Sequence, residues 1–370
     1  MARLVFGGAE IGGLYQAISE EAAHATLAAA WDAGVRDFDT APHYGVGLSE
    51  RRIGDFLAGK PRHEFRVSTK VGRLLVPATG PVDGVDDFYG TPALSRIRDY
   101  SSDGVLRSIE QSLARLRLDR IDVALIHDPE DYLPQAVDET YPALAGLRDQ
   151  GVVGAIGAGM NLTGPLAWLI TQADLDCVMI AGRYTLLEDS ATTALFPLCQ
   201  QRGVRVMAAG VFNSGILAGG ERYDYAAPAP DVVERVRQMS GACARHGVPL
   251  PAAALRYVLR HPAVTAAVVG ARTPAEIRAD ADYLGMDIPE ALWAELASTG
   301  LASTGLPSTG LPDGRQPLLD PGDVHGCPGP GHLGFVCGER GEDGPVLGQR
   351  LRGDPGLSEA APHPGPGGRT

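Results

Sequence analysis

The sequence predicts a (β/α)8 barrel, also called a TIM barrel, on two observations. Eight short apolar runs occur between residues 3 and 269, and each is followed by a segment with apolar residues at helical spacing. The runs are almost continuously apolar, which is typical of a parallel sheet covered on both faces. Two open α/β sheets would give a similar number of elements, but no linker separates two halves of the chain. We therefore expect one closed barrel.

The predicted strands and helices alternate from the N-terminus onwards. Strands are expected at residues 3–8, 35–39, 65–70, 121–127, 152–157, 177–181, 204–209 and 264–269. Helices are expected at residues 19–33, 49–57, 102–118, 136–150, 166–173, 191–202, 230–246, 251–260 and 274–284. Residues 72–102 show no clear period, and a loop of that length in a compact domain usually carries function or stays disordered. We expect this segment to lie over the C-terminal ends of the strands.

Composition limits the function classes. The chain has 370 residues, of which 44% are hydrophobic, and its net charge of -13 argues against a nucleic-acid partner. The five cysteines are odd in number and scattered, which favours free thiols in a reducing cytoplasm. The sequence contains no recognisable signal peptide or membrane span. We expect a cytoplasmic protein without a membrane partner, either a monomer or a small homo-oligomer.

The C-terminal sequence has a different character. From Leu296 a five-residue repeat reads LASTG, LASTG, LPSTG, and Gly- and Pro-rich sequence continues to Thr370. We therefore expect a barrel domain at residues 1–300 and a disordered tail at residues 301–370; a frameshifted reading of GC-rich DNA would also give such a tail. The LPSTG match lacks the other parts of a cell-wall anchoring signal. Cys327, His332 and Cys337 form an incomplete zinc set, so we expect no metal site.

Four polar residues stand at or just beyond predicted strand ends. Asp39, Lys70 and His127 each end a strand, and Tyr44 follows shortly after Asp39. In a parallel barrel these ends share one face, so we expect the four side chains to form one site. Lys70 is one of only two lysines among 32 basic residues, which suggests a need for a compact ammonium, although the other, Lys60, lies in an ordinary polar turn.

This set of residues favours proton transfer coupled to hydride transfer. A tyrosine has a pKa of about 10, a nearby lysine favours the phenolate, and an aspartate holds the lysine charged. Tyr44 would then exchange a proton with a carbonyl or alcohol oxygen that His127 positions, while a bound cofactor carries the hydride. The alternative interpretation is a structural Asp39–Lys70 ion pair, with Tyr44 and His127 only packing.

The same residues resemble the catalytic tetrad of the aldo-keto reductases, a family of (β/α)8 barrels that use NAD(P)(H). The resemblance extends from the first strand to about residue 300 and is greatest to the bacterial branch of aldose and pyridoxal dehydrogenases. The segments that carry it are residues 38–45 (FDTAPHYG), 68–73 (STKVGR), 127–129 (HDP), 157–161 (GAGMN), 181–187 (AGRYTLL) and 210–217 (GVFNSGIL).

The resemblance implies a role for each tetrad residue and a cofactor site. Tyr44 would be the general acid/base, Lys70 and Asp39 its tuning partners, and His127 would orient the carbonyl. Near the nicotinamide the implied contacts are Gly8, Ala9 and, at its carboxamide, Asn161. Around the pyrophosphate and the adenosine they are Gly210, Phe212, Ser214, Gly215, Leu217, Gly270, Ala271, Arg272, Glu276 and Asp280.

Two departures from the family pattern bear on the cofactor. Many relatives have Ser-Asn after the fifth strand, whereas this chain has Met160 before Asn161, so Asn161 either substitutes or the carboxamide contact is lost. NADP-preferring relatives bind the 2′-phosphate with lysine and arginine, but Gly270 and Glu276 stand at the matching positions, with Arg272 nearby. A carboxylate suits a free ribose hydroxyl and repels a phosphate, so we expect NAD to be preferred over NADP.

The resemblance thus implies an oxidoreductase that oxidises the C1 hydroxyl of an aldose of the L-fucose class to the lactone. One alternative is an NADPH-dependent aldehyde reductase or a pyridoxal dehydrogenase, which would use the same site. Another is a nucleotide-binding barrel without catalysis. Polar side chains from residues 72–102 in the pocket would favour a sugar, and apolar ones a simple aldehyde.

Overall fold

A computed structural model describes residues 3–80 and 82–300 of the chain. The strands in this part are β1 (Arg3–Gly7), β2 (Asp37–Asp39), β3 (Arg66–Val71), β4 (Arg73–Pro77), β5 (Leu94–Arg98), β6 (Val123–His127), β7 (Ile156–Met160), β8 (Cys177–Ala181), β9 (Arg205–Ala209) and β10 (Val264–Gly270). The α-helices are α1 (Glu20–Asp32), α2 (Leu48–Leu57), α3 (Ser102–Leu116), α4 (Leu133–Gln135), α5 (Tyr141–Asp149), α6 (Thr163–Gln172), α7 (Leu195–Arg202), α8 (Pro230–Arg245), α9 (Leu250–Val258), α10 (Pro274–Gly285) and α11 (Glu290–Ser298). None of the described helices is both long enough and apolar enough to cross a membrane.

Eight of these strands form a closed barrel, which confirms the predicted fold. Neighbouring strands pair in parallel in the order β1–β10–β9–β8–β7–β6–β3–β2. Helices pack outside the barrel through one apolar face, as in α3, where Val105, Ile109 and Leu116 are buried at helical spacing. The hydroxyl of Ser101 accepts a hydrogen bond from the backbone N–H of Gly104 and so begins this helix.

Strand order brings three of the tetrad residues to one end of the barrel. β3 lies between β2 and β6. Asp39 ends β2 and pairs with Ser68 of β3, two residues before Lys70, and His127 ends β6. Because parallel strands end at the same edge of a sheet, these side chains are carried at the same rim.

The prediction of an irregular loop over residues 72–102 is wrong. This segment contains the antiparallel pair β4 and β5, in which Arg73 pairs with Arg98 and Pro77 with Leu94. Arg96 and Arg98 interrupt the apolar pattern of β5, and the 16 residues that join the strands, 78–93, are far more than a tight hairpin turn, so the Asp83-Gly84 turn signal within them does not reveal the pairing. The segment nevertheless lies over the strand ends as expected, because Asp86, Asp87 and Phe88 line the same cavity as Asp39, Lys70 and His127.

Some element boundaries differ from the predicted ones. β7 begins at Ile156 rather than at residue 152, because the preceding Val153 contributes only an isolated bridge to Ile121. The helix predicted at residues 136–150 begins earlier, at α4, and continues through a π-helical turn, Ala136–Thr140, into α5. Neither difference moves a residue of the predicted site.

The last helix, α11, was not predicted. It contains Leu296, the first residue of the repeat, which is buried together with Leu292 and Trp293. The first copy of the repeat therefore contributes Leu296 to the core. In the sequence, this residue is assigned to the repeat because the same five-residue pattern continues after it. The predicted disordered tail, residues 301–370, lies outside the described residues, and the domain boundary at residue 300 stays a prediction.

Candidate active site

Tyr44 is placed by a turn between β2 and α2. Its backbone N–H donates to the carbonyl oxygen of Ala41, and its own carbonyl oxygen accepts from the N–H of Ser49, at 3.0 and 3.2 Å. Gly45 has a φ of +61°, and a Cβ there would lie 2.1 Å from the carbonyl oxygen of Gly12. Glycine is therefore required beside Tyr44, both for the left-handed backbone and for the close approach of the β1–α1 loop.

A buried ion pair lies beside the tyrosine. Lys70 Nζ is 2.7 Å from Asp39 Oδ2, and both side chains are 2% exposed. Nζ also donates to the carbonyl oxygen of Thr40 at 2.9 Å. Burial alone would lower the pKa of the Lys70 ammonium, but the adjacent Asp39 carboxylate and Tyr44 phenol more than offset this effect and raise it. Lys70 is therefore a permanent cation.

The net effect on Tyr44 differs from the sequence-based expectation. Lys70 Nζ lies 4.5 Å from the centroid of the Tyr44 ring, so it is close enough to favour the phenolate. Burial nevertheless raises the pKa of Tyr44, and the Lys70 ammonium lowers it only in part. The expectation of a depressed pKa omitted desolvation, which disfavours the phenolate. Tyr44 is a phenol at neutral pH in the free protein.

His127 faces the same tyrosine and is uncharged. The two rings are nearly perpendicular, with centroids 6.0 Å apart. Burial and the neighbouring cations Lys70 and Arg73 hold the pKa of His127 well below its usual value. Its Nε2 lies 3.5 Å from Asp128 Oδ2, longer than an ordinary hydrogen bond, so this nitrogen is available to a substrate oxygen.

The hairpin and the strand ends add a polar wall that the sequence reasoning did not identify. Arg73 of β4 donates to Asp128 Oδ2 at 2.6 Å, and its Nη1 is 3.4 Å from His43 Nδ1. Burial, together with the cations Arg73 and Arg96, lowers the pKa of His43 to about 2. The ring of Phe88, from the loop between β4 and β5, stacks on Tyr44 at 6.3 Å. The sequence did contain one indication of this wall, because His43 and Asp128 are the immediate sequence neighbours of Tyr44 and His127.

A single cavity of about 920 Å³ contains most of the predicted site. All four tetrad residues line it. The predicted cofactor residues that line it are Gly8, Ala9, Asn161, Gly210, Phe212, Ser214, Gly215, Gly270, Arg272, Glu276 and Asp280. Leu217 and Ala271 do not, because their side chains are buried in the apolar core, at 0% and 1% exposure. Among the described residues, no group of three or more His, Cys, Asp or Glu side chains is arranged to hold a metal ion.

The loop after β9 turns sharply beside this cavity. Asn213 and Ser214 have φ values of +47° and +59°, and Gly215, at +102°, has a conformation that strongly favours glycine. The side-chain amide of Asn213 is buried and has no hydrogen-bond partner within the described residues. Arg222 of the same loop lies over the ring of Tyr15 in the β1–α1 loop, 4.4 Å from its centroid. The two loops therefore meet along the cavity.

The far end of the cavity is acidic, and its arginine is already engaged. The Arg272 guanidinium donates to the backbone carbonyl oxygens of Gln16, at 3.0 Å, and of Leu14. Glu276 accepts from the backbone N–H of Arg272 and caps helix α10, so it has a structural role that the sequence reasoning missed. Burial, with the nearby charges of Glu276 and Glu10, raises the pKa of Asp280 to about 7.

Comparison with known proteins identifies the family. The model of the aldo/keto reductase family matches residues 3–300. The chain belongs to the aldo/keto reductases. This enzyme is 45% identical over 308 residues to a D-threo-aldose 1-dehydrogenase of Pseudomonas sp., a match that covers 80% of this chain and 94% of the relative. It is 38% identical over 321 residues to a pyridoxal 4-dehydrogenase of Microbacterium luteolum, with coverages of 80% and 94%.

Solved structures agree with this assignment. A glycerol dehydrogenase from Gluconobacter oxydans superimposes with a TM-score of 0.66 and 25% identity, covering 85% of this chain and 95% of that one. An aldo-keto reductase from Bacillus halodurans, at 22% identity and a TM-score of 0.65, shows the shared fold. The enzyme is an oxidoreductase, and its family uses nicotinamide cofactors.

We expect His127 to be neutral at pH 6.5, where an ordinary histidine is half protonated. Its pKa is held well below 6.5 by burial and by Lys70 and Arg73, so the uncharged ring is the form present above that depressed pKa. The check is a ¹⁵N NMR titration of the imidazoles, with His127→Gln used to assign the signal. A His127 resonance that titrates with a midpoint near 6.5 would contradict this electrostatic description.

Proposed function

We propose that this aldo-keto reductase is an NAD-dependent aldose 1-dehydrogenase, which oxidises the C1 hydroxyl of an L-fucose-type sugar to its lactone. The observation that carries the proposal is the carboxylate wall of the cavity beside Tyr44, which is formed by Asp86, Asp87, Asp128 and Glu130. Carboxylate oxygens are hydrogen-bond acceptors, and a sugar presents several hydroxyl donors to them. The 45% identity to a D-threo-aldose 1-dehydrogenase supports the same substrate class.

The hairpin loop supplies half of this wall. From residues 72–102 the cavity is lined by Asp86, Asp87 and Phe88, two carboxylates and one aromatic ring. Arg96 anchors this loop by an ion pair with Asp86 at 3.2 Å and by donating to the carbonyl oxygen of His43. A pocket for simple apolar aldehydes would not need charged side chains at this position, because each must be desolvated when an apolar ligand binds.

The tetrad residues have distinct parts in the proposed reaction. The phenolate form of Tyr44 accepts the proton of the C1 hydroxyl, C1 loses its hydrogen as hydride, and the C1–O bond becomes the carbonyl of the lactone. A bound nicotinamide supplies the hydride acceptor. Lys70, held charged by Asp39, stabilises the phenolate that Tyr44 must form. The Nε2–H of His127 donates a hydrogen bond to the substrate oxygen and orients it.

The preference for NAD rests on the charges at the far end of the cavity. Glu10, Glu276 and Asp280 line this end, and the Arg272 guanidinium is occupied by the carbonyl oxygens of the β1–α1 loop. A 2′-phosphate placed here would face carboxylates, and Arg272 already directs a hydrogen bond from each Nη to a backbone carbonyl oxygen, whereas a ribose hydroxyl can donate to the carboxylates. The described cysteines Cys177, Cys199 and Cys243 are buried free thiols, which supports a reducing, cytoplasmic setting.

Substitution of Tyr44 tests the proposed function. We expect Tyr44→Phe to lower the rate of NADH formation from L-fucose or L-galactose by about 10²–10⁴-fold, the usual contribution of a general acid or base. Tyr141→Phe is the matched control, because Tyr141 donates to Asp174 on the outside of the barrel and does not line the cavity. Initial rates with L-fucose, D-arabinose, L-galactose and pyridoxal, each with NAD⁺ and NADP⁺, provide the measurement. Turnover confined to simple aldehydes with NADPH would contradict both the sugar and the cofactor assignments.

Removal of one acidic charge tests the cofactor preference. We expect Asp280→Asn to lower the ratio of the NADPH and NADH dissociation constants by about ten-fold at a pH where Asp280 is ionised, since repulsion of the 2′-phosphate is reduced. Binding is measured by quenching of protein fluorescence, without substrate. Asp282→Asn is the control, because Asp282 lies on the exposed side of the same helix. Equal affinity of the wild-type enzyme for NADH and NADPH would remove the basis of the preference.

A further inference from the structure

The carboxylate of Asp39 has a separate buried donor for each of its oxygens. Lys70 Nζ donates to Oδ2, and the Ser68 hydroxyl donates to Oδ1, both at 2.7 Å. Ser68 is 7% exposed, and the other two side chains are 2% exposed. Because both oxygens are held by buried donors, the carboxylate keeps one orientation.

The Lys70 ammonium depends on that orientation. An ammonium has three N–H donors, and two of those of Lys70 go to Asp39 and to the carbonyl oxygen of Thr40. The third is left for Tyr44, beside whose ring Nζ lies. The backbone of Thr40, just beyond β2, is held by its N–H, which donates to the carbonyl oxygen of Ser68 at 2.9 Å, so the Asp39 side chain is the adjustable partner. Its far oxygen is held by Ser68.

Ser68 borders a different cavity from the one that Asp39 and Lys70 line. Asp39 and Lys70 line the active-site cavity, whereas Ser68 lines a second cavity of about 830 Å³, shared with Asp37 and Arg66 near the N-terminal ends of the strands. Without the Ser68 hydroxyl, Oδ1 of Asp39 would border open space instead of a donor. The carboxylate would then be able to turn, and the ammonium with it.

We propose that Ser68 is a positioning residue of this active site, which acts through Asp39 and Lys70 on Tyr44. The inference rests on the proposed role of Tyr44 in proton transfer. Ser68 does not line the active-site cavity, so any effect of its substitution reaches the reaction through Asp39. Its partner lies on the neighbouring strand, in register with it, which is why the linear sequence did not single it out.

The lysine content of the chain allows a direct test. Since Lys60 and Lys70 are the only lysines, protein labelled with ¹³C and ¹⁵N at lysine gives two side-chain signals, which Lys60→Arg assigns. We expect Ser68→Ala to shift the Lys70 signal and to accelerate exchange of its N–H protons, while Lys60 is unchanged. Ser68→Thr, which keeps the hydroxyl, should restore both properties.

A matched control comes from the same strand. The Thr69 hydroxyl donates to Glu50 at 2.7 Å and is also buried, but it lies on the opposite face of β3. Thr69→Val removes a comparable buried hydrogen bond and should leave the Lys70 signal in place. An unchanged Lys70 signal in Ser68→Ala, or an equal shift in Thr69→Val, would overturn the proposal.

Kinetics show whether the position of Lys70 matters for the reaction. We expect Ser68→Ala to lower kcat for aldose oxidation by about ten-fold with KM nearly unchanged. The rise of kcat with pH should move to higher pH, because a displaced Lys70 opposes the raised pKa of Tyr44 less. A shifted Lys70 signal with unaltered kcat and pH profile would also overturn the proposal. An inactive wild-type enzyme would contradict the proposed function instead, and the lysine spectra would still decide whether Ser68 positions Lys70.

Discussion

The active site depends on a charged pair, Asp39 and Lys70, whose side chains are almost completely buried. Isolated charges in such a position are unstable, and removal of one partner of a buried ion pair typically costs about 3–5 kcal/mol. The barrel meets this requirement because β2 and β3 are adjacent and in register, so the two side chains meet at 2.7 Å with further donors and acceptors around them. Tyr44 depends on this pair, because the Lys70 ammonium, which Asp39 holds in place, is what favours the Tyr44 phenolate.

Burial has opposite consequences for the pKa values of the acids and the bases around the pair. Burial keeps the pKa of Tyr44 raised and those of His43 and His127 lowered, so the resting site contains a neutral phenol and neutral imidazoles beside the cations Lys70, Arg73 and Arg96. A phenol is ready to donate a proton to a carbonyl, as in reduction. Oxidation of an alcohol requires the phenolate, which Lys70 must stabilise against desolvation. In the proposed reaction, the pH therefore decides the favoured direction as much as the substrate does.

Much of this could be predicted from the sequence, and the omissions have a common cause. Strand ends are local features, so Asp39, Lys70 and His127 could be recognised as neighbours once the parallel barrel was inferred. The contacts of Ser68 with Asp39 and of Arg73 with Asp128 join residues far apart in sequence and depend on exact register and side-chain reach. The hairpin was missed because arginines interrupt the apolar pattern of β5 and 16 residues separate the two strands.

One omission had a readable signal. The sequence from Thr273 to Glu276 has the T-x-x-E pattern of a capping box, and in the structure Glu276 has this role at the start of α10. Its carboxylate is thus held in place by backbone donors, and its charge remains at the acidic end of the cavity. Glu276 can therefore cap α10 and also contact the cofactor, as the resemblance implies. The cap explains why the Glu276 charge has a fixed position.

A double-mutant cycle tests most directly whether the buried pair acts as one unit on Tyr44. It compares kcat for aldose oxidation in Asp39→Asn, Lys70→Met and the double variant, each first shown to be folded. We expect each single variant to be slower by about 10²-fold or more and the double variant to be no slower than Lys70→Met alone, because Asp39 acts only through Lys70. Multiplication of the two single effects in the double variant would contradict this account.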